Sequence, residues 1–113
     1  MHELAITKEI LRIAVKHAER AGAERMTDIN ITIGDLSSAV DDSVQFYFDF
    51  LSPGTIAEGA RLHFRRVAAR LRCRECGTEF EPLGVDWRCP HCRSQGGEVI
   101  AGREFYIESI EVE

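Results

Sequence analysis

No apolar run in this 113-residue chain approaches the roughly 20 residues that a membrane-crossing helix needs, so no membrane association is expected. The chain does not open with a basic segment, an apolar stretch and a small-residue cleavage site, and the expectation is a cytoplasmic protein. Positive charge is also scarce, with 14 Lys and Arg against 19 Asp and Glu, a net charge of −5. Binding nucleic acid calls for a surplus of cations that displaces phosphate counterions, so no nucleic-acid partner is expected. The basic cluster Arg61, Arg65, Arg66, Arg70, Arg72 and Arg74 reads as the solvated face of a strand, with a partner surface as the alternative. Internal repeats and low-complexity linkers are absent. "SPGTIAEGA" holds Gly54 and Gly59 but no GK[ST] follows, so it is no phosphate-cradling loop. No Ser/His/Asp or paired-carboxylate arrangement stands out, and the protein reads as a non-enzyme.

The chain has the makings of a core, with 44% hydrophobic and 29% charged residues. Residues 5–21 predict an amphipathic helix with Ile6, Ile10, Ile13 and His17 on one face, stopped by Gly22. Ile29, Ile31 and Ile33 alternate with Asp28, Asn30 and Thr32, a strand with one buried face ending at Gly34-Asp35. In "DDSVQFYFDFL", Val44, Tyr47, Phe48 and Leu51 share a helical face, and Asp41, Asp42 or Ser43 is placed to cap it. A further strand around 61–68 carries Leu62 and Phe64, then changes parity near Arg66, which a bulge or the edge of a subdomain would explain. The tail "REFYIESIEVE" is β-rich, and Phe105, Ile107, Ile110 and Val112 need partners. It is expected to return and pair with the strands at 28–34 and 61–68, since three strands make a workable sheet and two a poor one.

All four cysteines fall between these segments, as Cys73-Arg-Glu-Cys76-Gly77 and Cys89-Pro90-His91-Cys92. Each C-x-x-C turn can present two thiolates to one ion, and two such turns at hairpin separation complete a tetrahedral sulfur site for zinc. Disulfides are disfavoured by the expected compartment, and a redox motif needs no symmetric second copy. Four thiolates leave no open position, so the zinc is structural. Residues 70–100 hold only Leu71, Phe80, Leu83, Val85 and Trp87 as bulky apolar side chains, too few for a core without the metal. The fold class expected is α+β: a small three-stranded sheet with two helices, residues 1–69 plus 101–113, interrupted by an inserted zinc-ribbon subdomain, residues 70–100. His17 reads as a core or boundary residue, His63 and His91 as exposed, and Trp87 as packing on the ribbon.

The N-terminus, "MHEL", offers a second metal signal. Met1 is expected to be retained, because histidine is a large second residue. The Met1 amine, the His2 backbone nitrogen and the His2 imidazole can close adjacent chelate rings, a nitrogen-rich set that favours nickel(II) or copper(II) over zinc. Glu3 or Asp41 could add an oxygen ligand.

"MHEL" before an amphipathic helix, "ITIGDLSS", "SPGTIAEGARL", the C-x-x-C-G…C-P-x-C pair and the final "GREFYIESIEVE" together resemble the HypA/HybF family over essentially the whole chain. That family comprises the nickel metallochaperones of [NiFe]-hydrogenase maturation. The resemblance implies His2 as the nickel ligand beside the Met1 amine, and Cys73, Cys76, Cys89 and Cys92 as holders of structural zinc. It implies that Glu3 helps engage a HypB-type GTPase or the target enzyme, and that Asp41 or Asp42 is an acidic residue able to join the nickel set. The implied partners are that GTPase and the hydrogenase large-subunit precursor, which would receive nickel(II) as cargo, and the chain is expected to be a monomer or weak homodimer. The sequence departs from many relatives at Arg93, where they have Gly, and its only ribbon histidine is His91, inside the second pair. The competing reading is a zinc-ribbon module for protein or nucleic-acid interaction, supported by the arginine cluster alone.

Overall fold

The computed structural model describes residues 3–37, 39, 41–84 and 86–113. Its elements run α1 (Glu3–Arg20), β1 (Met26–Gly34), α2 (Asp41–Leu51), β2 (Arg61–Val67), β3 (Arg70–Cys73), β4 (Glu79–Phe80), β5 (Gly97–Ala101) and β6 (Phe105–Val112). Two three-stranded sheets form, with strand orders β2-β1-β6 and β4-β3-β5. The chain divides into two compact units: Met1–Thr32 with Ser38–Arg65 and Tyr106–Glu113, and Ile33–Ser37 with Arg66–Phe105. The architecture is α+β, with helices confined to the first unit. No helix among the described residues is long and apolar enough to cross a membrane.

In the first unit, α1 buries Thr7, Ile10, Ala14 and Ala18. This seam is turned by one residue from the Ile6–Ile10–Ile13–His17 face: Ile6 and Ile13 are half-buried, and His17 is exposed rather than a core or boundary residue. Ala14 and Ala18 carry the smallest side chains on the helix, and small residues permit the closest approach to a neighbour. The buried Thr7 hydroxyl donates to the Glu3 carbonyl at 2.6 Å, so its burial leaves no orphan polar atom. Gly22, at φ 71°, ends the helix as expected. Gly22 N–H donates to Glu19 O and Ala23 N–H to Ala18 O, both at 3.0 Å, the paired bonds of a Schellman motif.

On α2, Val44 and Phe48 are fully buried. Asp41 and Asp42 occupy its first turn rather than the cap position, and there their charge complements the helix dipole. In β1, Ile29, Ile31 and Ile33 are buried, but so are Thr32 and Gly34. The central strand is therefore covered on both faces toward its C-terminal end, which a simple alternation does not foresee. β6 lies beside β1 and not beside β2, so the tail finds one of its two expected neighbours. As an edge strand it keeps Tyr106 and Val112 exposed.

In the second unit, β3 pairs antiparallel with β4 and β5, placing Leu71 opposite both Phe80 and Val99. The register slips between Arg70 and Leu71. The parity change at Arg66 reflects the end of β2 at Val67 and a new strand from Arg70. Gly34 and Gly102 cross closely: Leu36 N–H donates to Gly102 O at 2.9 Å, and a Cβ at Gly34 would overlap the Gly102 carbonyl.

Candidate metal centre

The second unit is built around Leu71, Cys73, Phe80 and Cys89, with Val99 against them. Two loops with the same backbone pattern bring the thiols together. Gly77 N–H donates to Cys73 O at 3.0 Å, and Cys73 N–H donates to Thr78 O at 2.9 Å. Sixteen residues on, Arg93 N–H donates to Cys89 O at 2.8 Å, and Cys89 N–H donates to Ser94 O at 3.0 Å. Each loop turns through the left-handed region, at Gly77 (φ 76°) and at Arg93 (φ 66°). Arg93 is the only non-glycine residue with positive φ among the described residues.

The ligand atoms of Cys73, Cys76, Cys89 and Cys92 all lie within 4.8 Å of one another. Cys73 Sγ is 3.5 Å from Cys92 Sγ, and Cys76 Sγ is 3.6 Å from Cys89 Sγ. These spacings exceed the roughly 2.05 Å of a disulfide. A tetrahedron with zinc–sulfur bonds of 2.3 Å has sulfur–sulfur edges of about 3.8 Å, so the donor set suits zinc(II) in geometry and in chemistry. Cys73 and Cys89 are buried, whereas Cys76 and Cys92 are exposed.

The sulfurs are electrostatically unlike. The side chain and backbone of Ser94, then Cys73, stabilise the Cys92 thiolate and bring its pKa down to about 6. The backbone of Cys76 favours the Cys73 thiolate, but burial and the neighbouring sulfurs outweigh it and push Cys73 up to about 11. Thr78 lowers Cys76, its Oγ1 lying 3.2 Å from that sulfur. His91 N–H donates to Cys89 Sγ at 3.4 Å, while the His91 side chain is exposed, as expected. Thr78 and Ser94 are site residues that the cysteine spacing alone does not pick out. The signal was available, since a hydroxyl residue stands five places after the first cysteine of each pair.

Met1 and His2 lie outside the described residues. Glu3 opens α1, Asp41 opens α2, and both are half-buried. The four cysteines are the only group of three or more metal-type donors among the described residues, and neither carboxylate belongs to such a group.

The arginine cluster is exposed, as expected, and several of its members are engaged. Arg65 pairs with Glu108 at 3.3 Å, and Arg70 and Arg72 both pair with Glu79 at 3.3 Å. This partial neutralisation weakens the case for a phosphate-binding surface. His63 is exposed, with Nε2 2.6 Å from Asp28 Oδ2. Trp87 keeps 39% of its surface exposed, and its Nε1–H donates to Gly84 O at 3.3 Å.

Two helices over one sheet, joined to paired knuckles that gather four thiols, define a small α+β protein with a zinc-ribbon-type module. The family model described as "Hydrogenase/urease nickel incorporation, metallochaperone, hypA" matches residues 1–112. A hydrogenase maturation factor HypA of Dehalococcoides mccartyi strain 195 is 49% identical, covering 100% of this chain and 95% of that protein. The corresponding factor of Caldanaerobacter subterraneus is 43% identical with full coverage of both. The fold is shared with the nickel metallochaperone HypA of Helicobacter pylori, at a TM-score of 0.69 and 21% identity over 99% of this chain and 97% of that one. The chain belongs to the HypA family of nickel metallochaperones and hydrogenase maturation factors.

Proposed function

We propose that this chain carries nickel(II) at Met1-His2-Glu3 and delivers it to a [NiFe]-hydrogenase large-subunit precursor, with a HypB-type GTPase as partner. The family match across residues 1–112 carries the reading, since its description names nickel incorporation into hydrogenase and urease. The name shared by the relatives favours hydrogenase of the two. The Met1 amine, the His2 backbone nitrogen and the His2 imidazole would supply a nitrogen-rich, nickel-favouring set. α1 begins at Glu3, and the Glu3 carboxylate offsets the positive helix end that would otherwise oppose a cation held just before it. Asp41 or Asp42 would add an oxygen ligand, and Glu3 would also engage the GTPase. A terminal site with few ligands releases its ion readily, which suits transfer.

Cys73, Cys76, Cys89 and Cys92 would hold zinc(II), which supplies a cross-link between the two knuckles. In this reading residues 1–69 with 101–113 handle nickel, and residues 70–100 form the zinc ribbon.

The test is calorimetric titration of nickel into the zinc-loaded protein with an authentic Met1. It is run beside an otherwise identical chain extended before Met1, and beside His2→Ala. The native terminus should bind about one nickel per chain. The other two should lose that binding and keep about one zinc each. Equal nickel binding by the native and extended chains, or binding by neither, overturns the reading.

A further inference from the structure

Between α1 and the end of α2, within the first unit, lies a shallow groove of about 500 Å³. Leu11, Val15 and Leu51 form its apolar floor, and Lys8, Arg12 and Lys16 make its walls cationic. Leu4, 37% exposed, extends the apolar stripe along α1, seven residues before Leu11. Glu19 adds one carboxylate. Arg12 is held by Glu9 at 2.7 and 3.0 Å, whereas Lys8 and Lys16 have no ion-pair partner among the described residues. This concentration of positive charge stands out on a chain of net charge −5.

The same unit carries a surface of the opposite character. Phe46 and Phe50 are 67% and 76% exposed, four residues apart on the side of α2 facing away from the buried Val44 and Phe48. Asp42 lies four residues before Phe46 and Asp49 three after it, so both acids share that side. Asp49 accepts a hydrogen bond from Gln45 Nε2 at 2.8 Å and remains exposed. α2 contributes no basic residue at all. An aromatic ridge flanked by acids and an apolar groove walled by lysines are complementary in both polarity and charge.

We propose that a second copy of this chain docks here, the Phe46–Phe50 ridge of each copy entering the groove of the other. A two-fold axis makes the contact reciprocal, so both ridges and both grooves are filled and the assembly closes as a dimer. Asp42 and Asp49 meet Lys8 and Lys16 across the interface. An anionic lipid surface would be drawn to the lysines but repelled by the adjacent acids. Two rings per groove form a contact at the small end of interface sizes, below about 1,200 Å², so the dimer is weak and depends on concentration.

Sedimentation equilibrium on the zinc-loaded, nickel-free full chain tests this from micromolar to millimolar concentration. The native chain should show a reversible monomer–dimer equilibrium, and Phe46→Ser with Phe50→Ser should weaken it about tenfold or more. Reversing the groove (Lys8→Glu, Lys16→Glu) or the ridge (Asp42→Lys, Asp49→Lys) should leave each variant monomeric alone. An equimolar mixture of the two should dimerise again, because each then offers what the other lacks. Unchanged circular dichroism and zinc content confirm that the variants fold. A native chain that stays monomeric, a dimer that survives both reversals, or a mixture that fails to associate overturns the proposal. So does a monomer that instead binds phosphatidylglycerol vesicles through the same lysines.

Discussion

The two units reach a folded state by different means. The first buries Ile10, Ala14, Met26, Ile29, Ile31, Val44 and Phe48, a set drawn from two helices and a central strand that needs nothing but water exclusion. In the second, half of the four-residue core is cysteine, and only Leu71 and Phe80 are bulky hydrocarbons. Burying such a side chain contributes about 1.5–3 kcal/mol. Structural zinc in finger peptides contributes about 10–16 kcal/mol. The metal, not the hydrocarbon, has to decide whether the second unit folds. Its backbone agrees, because the knuckle turns at Gly77 and Arg93 serve to aim sulfur rather than to cover apolar surface.

The most severe way to break the symmetry is to remove the metal. Zinc chelation, or Cys89→Ser, should abolish amide protection at Cys73, Gly77, Cys89 and Arg93 while the amides of α1 and α2 stay protected. Hydrogen exchange resolved by residue reads this directly, and equal loss in both units would refute the contrast. The converse perturbation is Phe48→Ala, which empties the centre of the hydrocarbon core. It should destabilise the protein by about 3–5 kcal/mol in chemical denaturation. Bound zinc, assayed under native conditions, should remain near one ion per chain.

What can be read from the amino-acid sequence follows the same divide. The cysteine centre is legible because chelation imposes a spacing that few other roles require, and the four sulfurs do converge. The two helices and the three-stranded sheet are legible from periodicity. The buried seam of α1 is not, because periodicity weights bulky residues such as Ile6 and Ile13 whereas packing selected Ala14 and Ala18. Gly34 reads as a strand terminus, but its need for glycine comes from the crossing with Gly102, sixty-eight positions away, which no local pattern encodes. The order β2-β1-β6 was half legible: apolar content says that the tail must pair, but not beside which strand. Met1 and His2 fall outside the described residues, so the terminal nickel set rests on chelate chemistry and the family resemblance.

A smaller effect sharpens the comparison within the ribbon. The two knuckles share their backbone bonds and differ at the left-handed position. A non-glycine residue there costs about 1–2 kcal/mol. Glycine relieves that cost but gives back about 0.5–1 kcal/mol through the greater freedom of its unfolded chain. Arg93→Gly should therefore stabilise the zinc-loaded second unit by about 0.5–1 kcal/mol, visible as slower exchange at Cys89 and Arg93. Gly77→Arg should cost about the same. A loss of stability on Arg93→Gly would mean that the arginine side chain, not its backbone, matters at this place.

The smallest effect lies in the surface pairs, one in each unit. In the second, hydrogen bonds from Arg70 and then Arg72 hold the Glu79 carboxyl below its ordinary range. In the first, His63, then Thr27, does the same for Asp28. A carboxyl whose folded pKa is depressed adds stability that is present above its unfolded value, near 4, and fades as the pH falls through the folded value. Both contributions should thus be complete at neutral pH and vanish on acidification below about 4. Both pairs are solvent-exposed, so raised salt should shrink each one. Glu79→Gln and Asp28→Asn should flatten the acid limb of the stability profile and lower neutral stability only slightly, by less than Arg93→Gly raises it. Carbon-detected titration of the two side chains supplies the check. A Glu79 or Asp28 that titrates at or above its unfolded value would show that its pair adds nothing to the fold.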